Sequence, residues 1–152
     1  FIECNGKSKE NKELDVLIMN CPCSPEREFS DCCQPFLEGK SKPKTAEELM
    51  RSRFSAYRVG AVEYLLRSTH PSTRKFYKAE DIEKWAKSNI WQKLEIITKS
   101  AGEAKDKQGT VEFKAYFTDK NGKAKIHYEL STFRKELGKW FYVDGNFDFA
   151  PD

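Results

Sequence analysis

The stretch VEFKAYFTDKNGKAKIHYEL, Val111–Leu130, decides how this chain is read. Val111, Phe113, Ala115 and Phe117 alternate with polar residues, the period-two pattern of a strand with one buried face. Asp119-Lys120-Asn121-Gly122 then breaks the alternation with a hairpin signal, because Asn and Gly accept the backbone of a tight turn. Ile126, Tyr128 and Leu130 resume it on the far side. The reading is two antiparallel strands, 110–118 and a partner running to about Arg134. Outward from the hairpin, Leu94, Ile96 and Ile97 mark a strand over 91–102, and Gly138 opens the turn into a fourth over 139–145.

Upstream of Trp91 the period changes. Thr45 followed by Glu48 is a capping-box signal, and Leu49, Met50, Phe54 and Tyr57 follow at helical spacing. This predicts a helix over 46–59, broken near Gly60, and a shorter one over Ala61–Arg67 that His70-Pro71 ends. A third is predicted over Ala79–Ser88 with Ile82 and Trp85 facing inward. Helices followed by a long antiparallel meander give an α+β layer structure.

The 152 residues suit one compact domain with a small appendage. Charged residues make up 34%, yet 27 basic and 24 acidic side chains nearly cancel, leaving a formal net charge of +3. So balanced a chain does not demand nucleic acid. The longest apolar run near the start, Val16–Met19, is far too short to span a membrane or serve as a signal peptide. A soluble, cytoplasmic protein is expected. The chain begins at Phe1, and the polar, aperiodic CNGKSKENKE is expected to be a disordered lead covering residues 1–18, not necessarily native, with Met19 a candidate natural start. No phosphate-binding glycine loop and no nucleophile elbow is present.

The sharpest chemical feature is CPCSPEREFSDCC, in which Cys21, Cys23, Cys32 and Cys33 fall within one short segment. Adjacent cysteines pair poorly as disulfides, and crossed pairs would close only a tiny loop. Four thiolates around one zinc ion fit better. The first two approach from one turn, and the second two follow a short helical segment. Phe29 would lid the site and Arg27 would offset its charge. With no open position, such a zinc is structural. Cys4 is expected to be a free thiol.

The same segment resembles the SEC-C zinc motif found at the carboxyl end of the SecA translocation ATPase and in many small bacterial proteins. With ELMRSRFSAY (Glu48–Tyr57), STHP (Ser68–Pro71) and KWFYVDG (Lys139–Gly145), the chain resembles the YchJ family over about residues 19–147. One departure is Ser24-Pro25-Glu26, where SEC-C motifs usually carry Gly-Ser-Gly. The resemblance implies a zinc knuckle at 19–38 followed by a nuclear-transport-factor-2-like (cystatin-like) domain at 45–148. Such a domain is a cone-shaped curved sheet wrapped on helices, with room for a small-molecule ligand. It also implies, by analogy with SecA contacts to a chaperone and the ribosome, docking of a protein or nucleoprotein partner through the knuckle. The fold alone does not decide between binding and catalysis.

Within the cone the candidate polar residues are Arg53, His70, His127, Glu129 and Asp144. His127, Glu129 and Ser131 share one face of their strand, opposite Ile126, Tyr128 and Leu130. The apolar face is expected to pack inward, leaving His127 and Glu129 in water. The reverse arrangement would make them an acid–base pair. His70 is expected to cap or fill the core at a helix end. Arg53 is expected to meet Asp144, either as a structural ion pair or within an anion-binding pocket. Trp91, Trp140, Tyr142 and Phe117 are expected in the core. The favoured expectation is a non-enzymatic adaptor. The alternative is a small isomerase- or hydrolase-type enzyme using a His/carboxylate pair, and weaker still is RNA binding by the basic linker GKSKPK.

Overall fold

The computed structural model describes residues 19–146. The expectations for residues 1–18, including Cys4 and the lead, fall outside that range. A short hairpin, β1 (Asn20–Cys21) and β2 (Ser24–Glu28), leads through a 3-10 turn at Phe29–Asp31 to helix α1 (Gln34–Leu37). Helices α2 (Ala46–Val59), α3 (Val62–Arg67), α4 (Pro71–Arg74) and α5 (Ala79–Ser88) follow. Strands β3 (Ile90–Ala101), β4 (Gln108–Thr118), β5 (Ala124–Glu136) and β6 (Lys139–Asn146) complete the chain as a four-stranded antiparallel sheet in sequence order. Register breaks at Trp91/Lys93, Ile96/Thr98 and Thr132/Phe133 bend these long strands, since each extra residue adds twist. The curved sheet packs against α2, whose Leu49, Phe54 and Ala56 are buried.

Helix α2 starts where its cap dictates. Thr45 Oγ1 accepts the Glu48 N–H at 3.1 Å, and the Glu48 carboxylate reaches back to the Lys44 N–H at 2.6 Å, one residue beyond the usual reciprocal partner. Helix α4 was not anticipated. Pro71 opens it as well as ending what precedes, because a fixed φ and a missing N–H suit the first helical position. Trp85 also departs from expectation. Ile82 is buried, but Trp85 is 43% exposed and meets both Trp91 and Phe117 edge to face at 5.7 Å.

The main correction concerns β5. Glu129 and Ser131 are buried, His127 is half-buried, and Ile126 is 55% exposed, so the polar face turns inward. The hairpin loop is the cause. A two-residue Asn-Gly loop would set Phe113 opposite Leu130 and bring Ile126, Tyr128 and Leu130 inside. Asp119 instead closes a longer loop. Its Oδ1 accepts the N–H groups of Asn121 and Lys123, each at 2.9 Å, its C=O accepts the Gly122 N–H at 3.0 Å, and Gly122 takes φ +79°. Phe113 then pairs with Glu129, Ala115 with His127 and Val111 with Ser131. Residues directly opposite in a ladder share a face, so the inward β4 residues carry the polar β5 residues in with them.

Candidate functional site

In the knuckle, the sulfurs of Cys21, Cys23, Cys32 and Cys33 all lie within 4.8 Å of one another. Neighbouring pairs are 3.6 Å (Cys21–Cys23), 3.5 Å (Cys23–Cys32) and 3.9 Å (Cys32–Cys33). Four sulfurs held about 2.3 Å from a central ion in a tetrahedron stand about 3.8 Å apart, so the set fits a four-thiolate metal site. Cys21, Cys23 and Cys33 are buried and none of the four is in a disulfide. Phe29 is buried beside them.

Charge favours an ion. Hydrogen bonds from Cys23 and Cys33 hold Cys21 well below the usual thiol range as a thiolate. Hydrogen bonding with Cys21 in turn pushes Cys23 up to about 12 and Cys33 higher still, and burial followed by the Cys21 charge raises Cys32. Four thiols this close oppose one another's ionisation, and a bound cation relieves that opposition. Arg27 does not offset that charge. It is exposed and donates to the Asp31 carbonyl at 2.9 Å. The cation beside the thiolates is Arg51 of α2, whose Nη1 donates to the Cys23 carbonyl at 3.1 Å while Nε pairs with Glu47 at 2.9 Å. Ser55 Oγ, on the same helix, lies 3.5 Å from Cys21 Sγ. The spacing of Arg51 and Ser55 on one helical face was the available signal.

The second site is a cavity of about 260 Å³ between α2 and the sheet. Helix α2 contributes Arg53, Phe54 and Tyr57, and the sheet contributes Trp91, Phe113, His127, Glu129 and Tyr142. Trp85 and Tyr77 complete its wall. Trp91 and Tyr142, expected only in the core, therefore also line a ligand-sized space.

Glu129 is the hub. His127 Nε2–H donates to Oε1 at 2.9 Å, and the Tyr142 hydroxyl at 3.0 Å and the Ser131 hydroxyl, in a short contact, donate to Oε2. Burial alone would raise this carboxyl, but the donated bonds, led by those from His127 and Ser131, outweigh it and keep Glu129 ionised. Burial and the Glu129 charge raise Tyr142, which stays a donor. Gly145 makes room for this hub. A Cβ there would overlap the Glu129 carboxylate, so the last residue of KWFYVDG is a steric requirement that its sequence did not announce.

Arg53 does not meet Asp144, which is exposed on β6. The guanidinium turns to the α3 terminus instead, with Nη1 donating to the Leu65 carbonyl at 2.9 Å and to Ser68 Oγ at 2.7 Å. It also lies 4.3 Å over the Tyr142 ring. The last turn of a helix has carbonyls without backbone partners and a negative dipole end; the Leu65 carbonyl there gathers the Ser68 and Thr69 hydroxyls and the Arg53 cation together. His70 does not line the cavity either. Its Nδ1 accepts the Ser72 N–H at 3.1 Å, and Nε2 lies 2.9 Å from Glu136 Oε1, off the line of a straight hydrogen bond. So His127, Glu129 and Arg53 share the cavity, while His70 and Asp144 lie outside it.

Residues 45–145 match the family described as YchJ, middle NTF2-like domain. The chain belongs to the YchJ-like family. A UPF0225 protein of Geobacter sulfurreducens is 39% identical to this YchJ-like chain over 125 residues, covering 82% of it and 77% of the relative. A UPF0225 protein of Vibrio vulnificus is 40% identical over 131 residues, covering 86% and 77%. Among solved structures, a SEC-C motif containing protein from Rhodopseudomonas palustris superposes with a TM-score of 0.78 at 33% identity, covering 88% of this chain and all of that one, 100%. A SEC-C motif containing protein from Psychrobacter arcticus gives 0.74 at 31% identity, covering 90% and 87%. The nuclear-transport-factor-2-like cone and the SEC-C character of the knuckle therefore both stand. No helix among the described residues is long and apolar enough to cross a membrane.

Proposed function

We propose that this protein binds a small molecule in its cone, and that the knuckle holds a structural zinc ion fastening the amino-terminal segment to that cone. One observation carries the reading. Strand β5 turns His127 and Glu129 into an aromatic cavity, with Ser131 buried behind Glu129, while Ile126 stays exposed, so polar groups converge in an apolar space of ligand size. Zinc is favoured for the knuckle because a closed set of four thiolates is its usual structural environment. Four sulfurs leave no position for substrate, so chemistry, where there is any, belongs to the cone.

A screen of small metabolites by thermal shift, run in parallel on an Ala115→Phe variant, tests the cone. Ala115 lines the cavity, so its enlargement fills the space. Compounds that stabilise the parent and not the variant support the proposal, and no stabilising compound counts against it. Elemental analysis tests the knuckle, with one zinc per chain expected and metal-free, alkylatable thiols overturning it. A His engaged by an ionised carboxylate is also a general acid–base arrangement, so turnover of any ligand found extends the reading to an enzyme.

Capture of a protein or nucleoprotein partner is the second reading. A groove bordered by Lys40, Lys42, Lys44 and Lys135 favours it, because clustered lysines beside the knuckle attract an acidic surface. Loss of pull-down on reversing Lys42 and Lys44 to Glu, with the knuckle intact, supports it, and unchanged capture rejects it.

A further inference from the structure

The hydrogen-bond donors and acceptors around the cavity are out of balance. Both oxygens of its carboxylate are engaged, Glu129 Oε1 by His127 and Oε2 by Ser131 and Tyr142. The donors are not. Trp91 is 4% exposed, and its indole Nε1–H meets no acceptor. Arg53 is 5% exposed and uses only Nη1, on Leu65, Ser68 and Thr69. Its Nε and Nη2 make no hydrogen bond among the described residues, and no carboxylate reaches ion-pair distance of it. A guanidinium this buried is costly without a counter-charge, and a buried donor left unmade costs more than a bond gains.

The Tyr57 hydroxyl adds to the excess. It makes no hydrogen bond among the described residues, and burial raises its pKa, so it remains an O–H. No lysine lines the space, and about 260 Å³ lies just below the roughly 300–1,000 Å³ of drug-sized sites. One fixed positive charge, spare N–H and O–H donors and flat aromatic walls match one class of molecule.

We infer that the cavity binds a small monocarboxylate with a flat apolar body. The carboxylate takes the free edge of Arg53, the body lies among the aromatic rings, and Trp91 Nε1–H is available to its second oxygen or to a polar substituent. This rests on the reading of the cone as a ligand site. Glu129 does not compete for Arg53, because both of its oxygens are engaged by His127, Ser131 and Tyr142 and it makes no ion pair with the guanidinium.

The test is an isosteric series, trans-cinnamate, cinnamyl alcohol and cinnamylamine, titrated into the full chain at pH 7 by calorimetry and by NMR of the indole N–H signals. Cinnamate is expected to bind at least ~10-fold tighter than either partner, as a charge-assisted pair would give. It is also expected to shift the Trp91 indole resonance. Trp91→Phe, which keeps a ring and removes the donor, is expected to weaken cinnamate roughly 3- to 10-fold and leave the alcohol within about 2-fold. Arg53→Lys is expected to erase the preference for cinnamate. Should that variant fail to fold, the ranking on the parent protein and the Trp91→Phe result decide alone. Amine or alcohol binding as tightly as cinnamate overturns the carboxylate inference and leaves the cone reading standing. If none of the three binds, both fall.

Discussion

In the knuckle, four like side chains from one short segment converge on a point, and the hairpin β1–β2 with the turn after it is enough to bring them there. In the cavity, four unlike side chains converge from far apart. Arg53 comes from α2, His127 and Glu129 from β5, and Tyr142 from β6. The first site is assembled by local chain geometry. The second depends on sheet register, and one residue of slip in β5 would take His127 and Glu129 out of it. The two also differ in what satisfies them. Crowding and burial oppose ionisation of the neighbouring thiols, which a cation would relieve, whereas the carboxylate of Glu129 is already provided with donors.

The largest expected effect breaks the knuckle. Cys33 is 1% exposed and belongs to the same buried cluster as Leu49 and Tyr64. Replacing Cys33 with Ser, or stripping the ion with a strong chelator, is expected to cost more than ~4 kcal/mol, since metal binding and folding are one equilibrium in such sites. Calorimetric unfolding with and without chelator measures it. An unchanged transition would mean that the knuckle is an ornament on a self-sufficient cone.

The next effect attacks the cavity through a residue that carries no chemistry. Gly145→Ala places a methyl where the Glu129 carboxylate lies, so the side chain must leave its three donors. A loss of about 3 kcal/mol is expected from overpacking together with unpaired buried donors. Denaturant unfolding reads the loss, and metal content should stay unchanged, separating this region from the knuckle.

The contrast also explains what the sequence made legible. The ligand set of the knuckle was visible because residue type and spacing suffice when the chain is local. Its supporting cation was not, because Arg51 reaches it from α2, across a linker. Helix α2 was visible to its ends because Thr45 and Gly60 bracket it. The cavity was hidden by a turn. Asn121-Gly122 favours a loop whose register buries Ile126, Tyr128 and Leu130. Asp119 supplies side-chain acceptors that lengthen the loop and reverse the face. Phe133, buried on the same face as Glu129 and Ser131, was the residue in β5 that contradicted the apolar-inward assignment. The pairing of Arg53 was hidden for a related reason. Charge complementarity suggested Asp144, which is exposed, whereas the buried guanidinium meets the Leu65 carbonyl and the Ser68 hydroxyl at the end of α3.

A third prediction tests whether α2 joins the two regions. Arg51 donates to the Cys23 carbonyl and pairs with Glu47, which also meets Lys99 of β3 at 3.2 Å. Arg51→Met keeps the aliphatic stem and removes the bond and the charge. Metal affinity is expected to fall 10- to 100-fold, as for other groups that orient ligands from behind. Competition with a chromogenic chelator measures it, and the cinnamate titration of the cone should not move.

The smallest effect is a pH dependence confined to the cavity. Glu129 has a folded pKa below its unfolded value of about 4.3, because the bonds from His127, Ser131 and Tyr142 outweigh the opposing effect of burial. Its stabilisation is therefore present above about pH 4.3 and is lost as pH falls through the lower folded value, where both states bind the proton. Glu129→Gln cannot titrate and sets a donor against one of the three donors. It is expected to be about 1 kcal/mol less stable than the parent at neutral pH, and the gap should close as the parent is acidified below pH 4.3. Urea midpoints of the two proteins between pH 3 and 7 give the difference directly. A gap that stayed constant with pH would mean that folding leaves the Glu129 pKa unshifted, and a parent that gained stability on acidification would mean that the carboxyl is neutral in the folded protein.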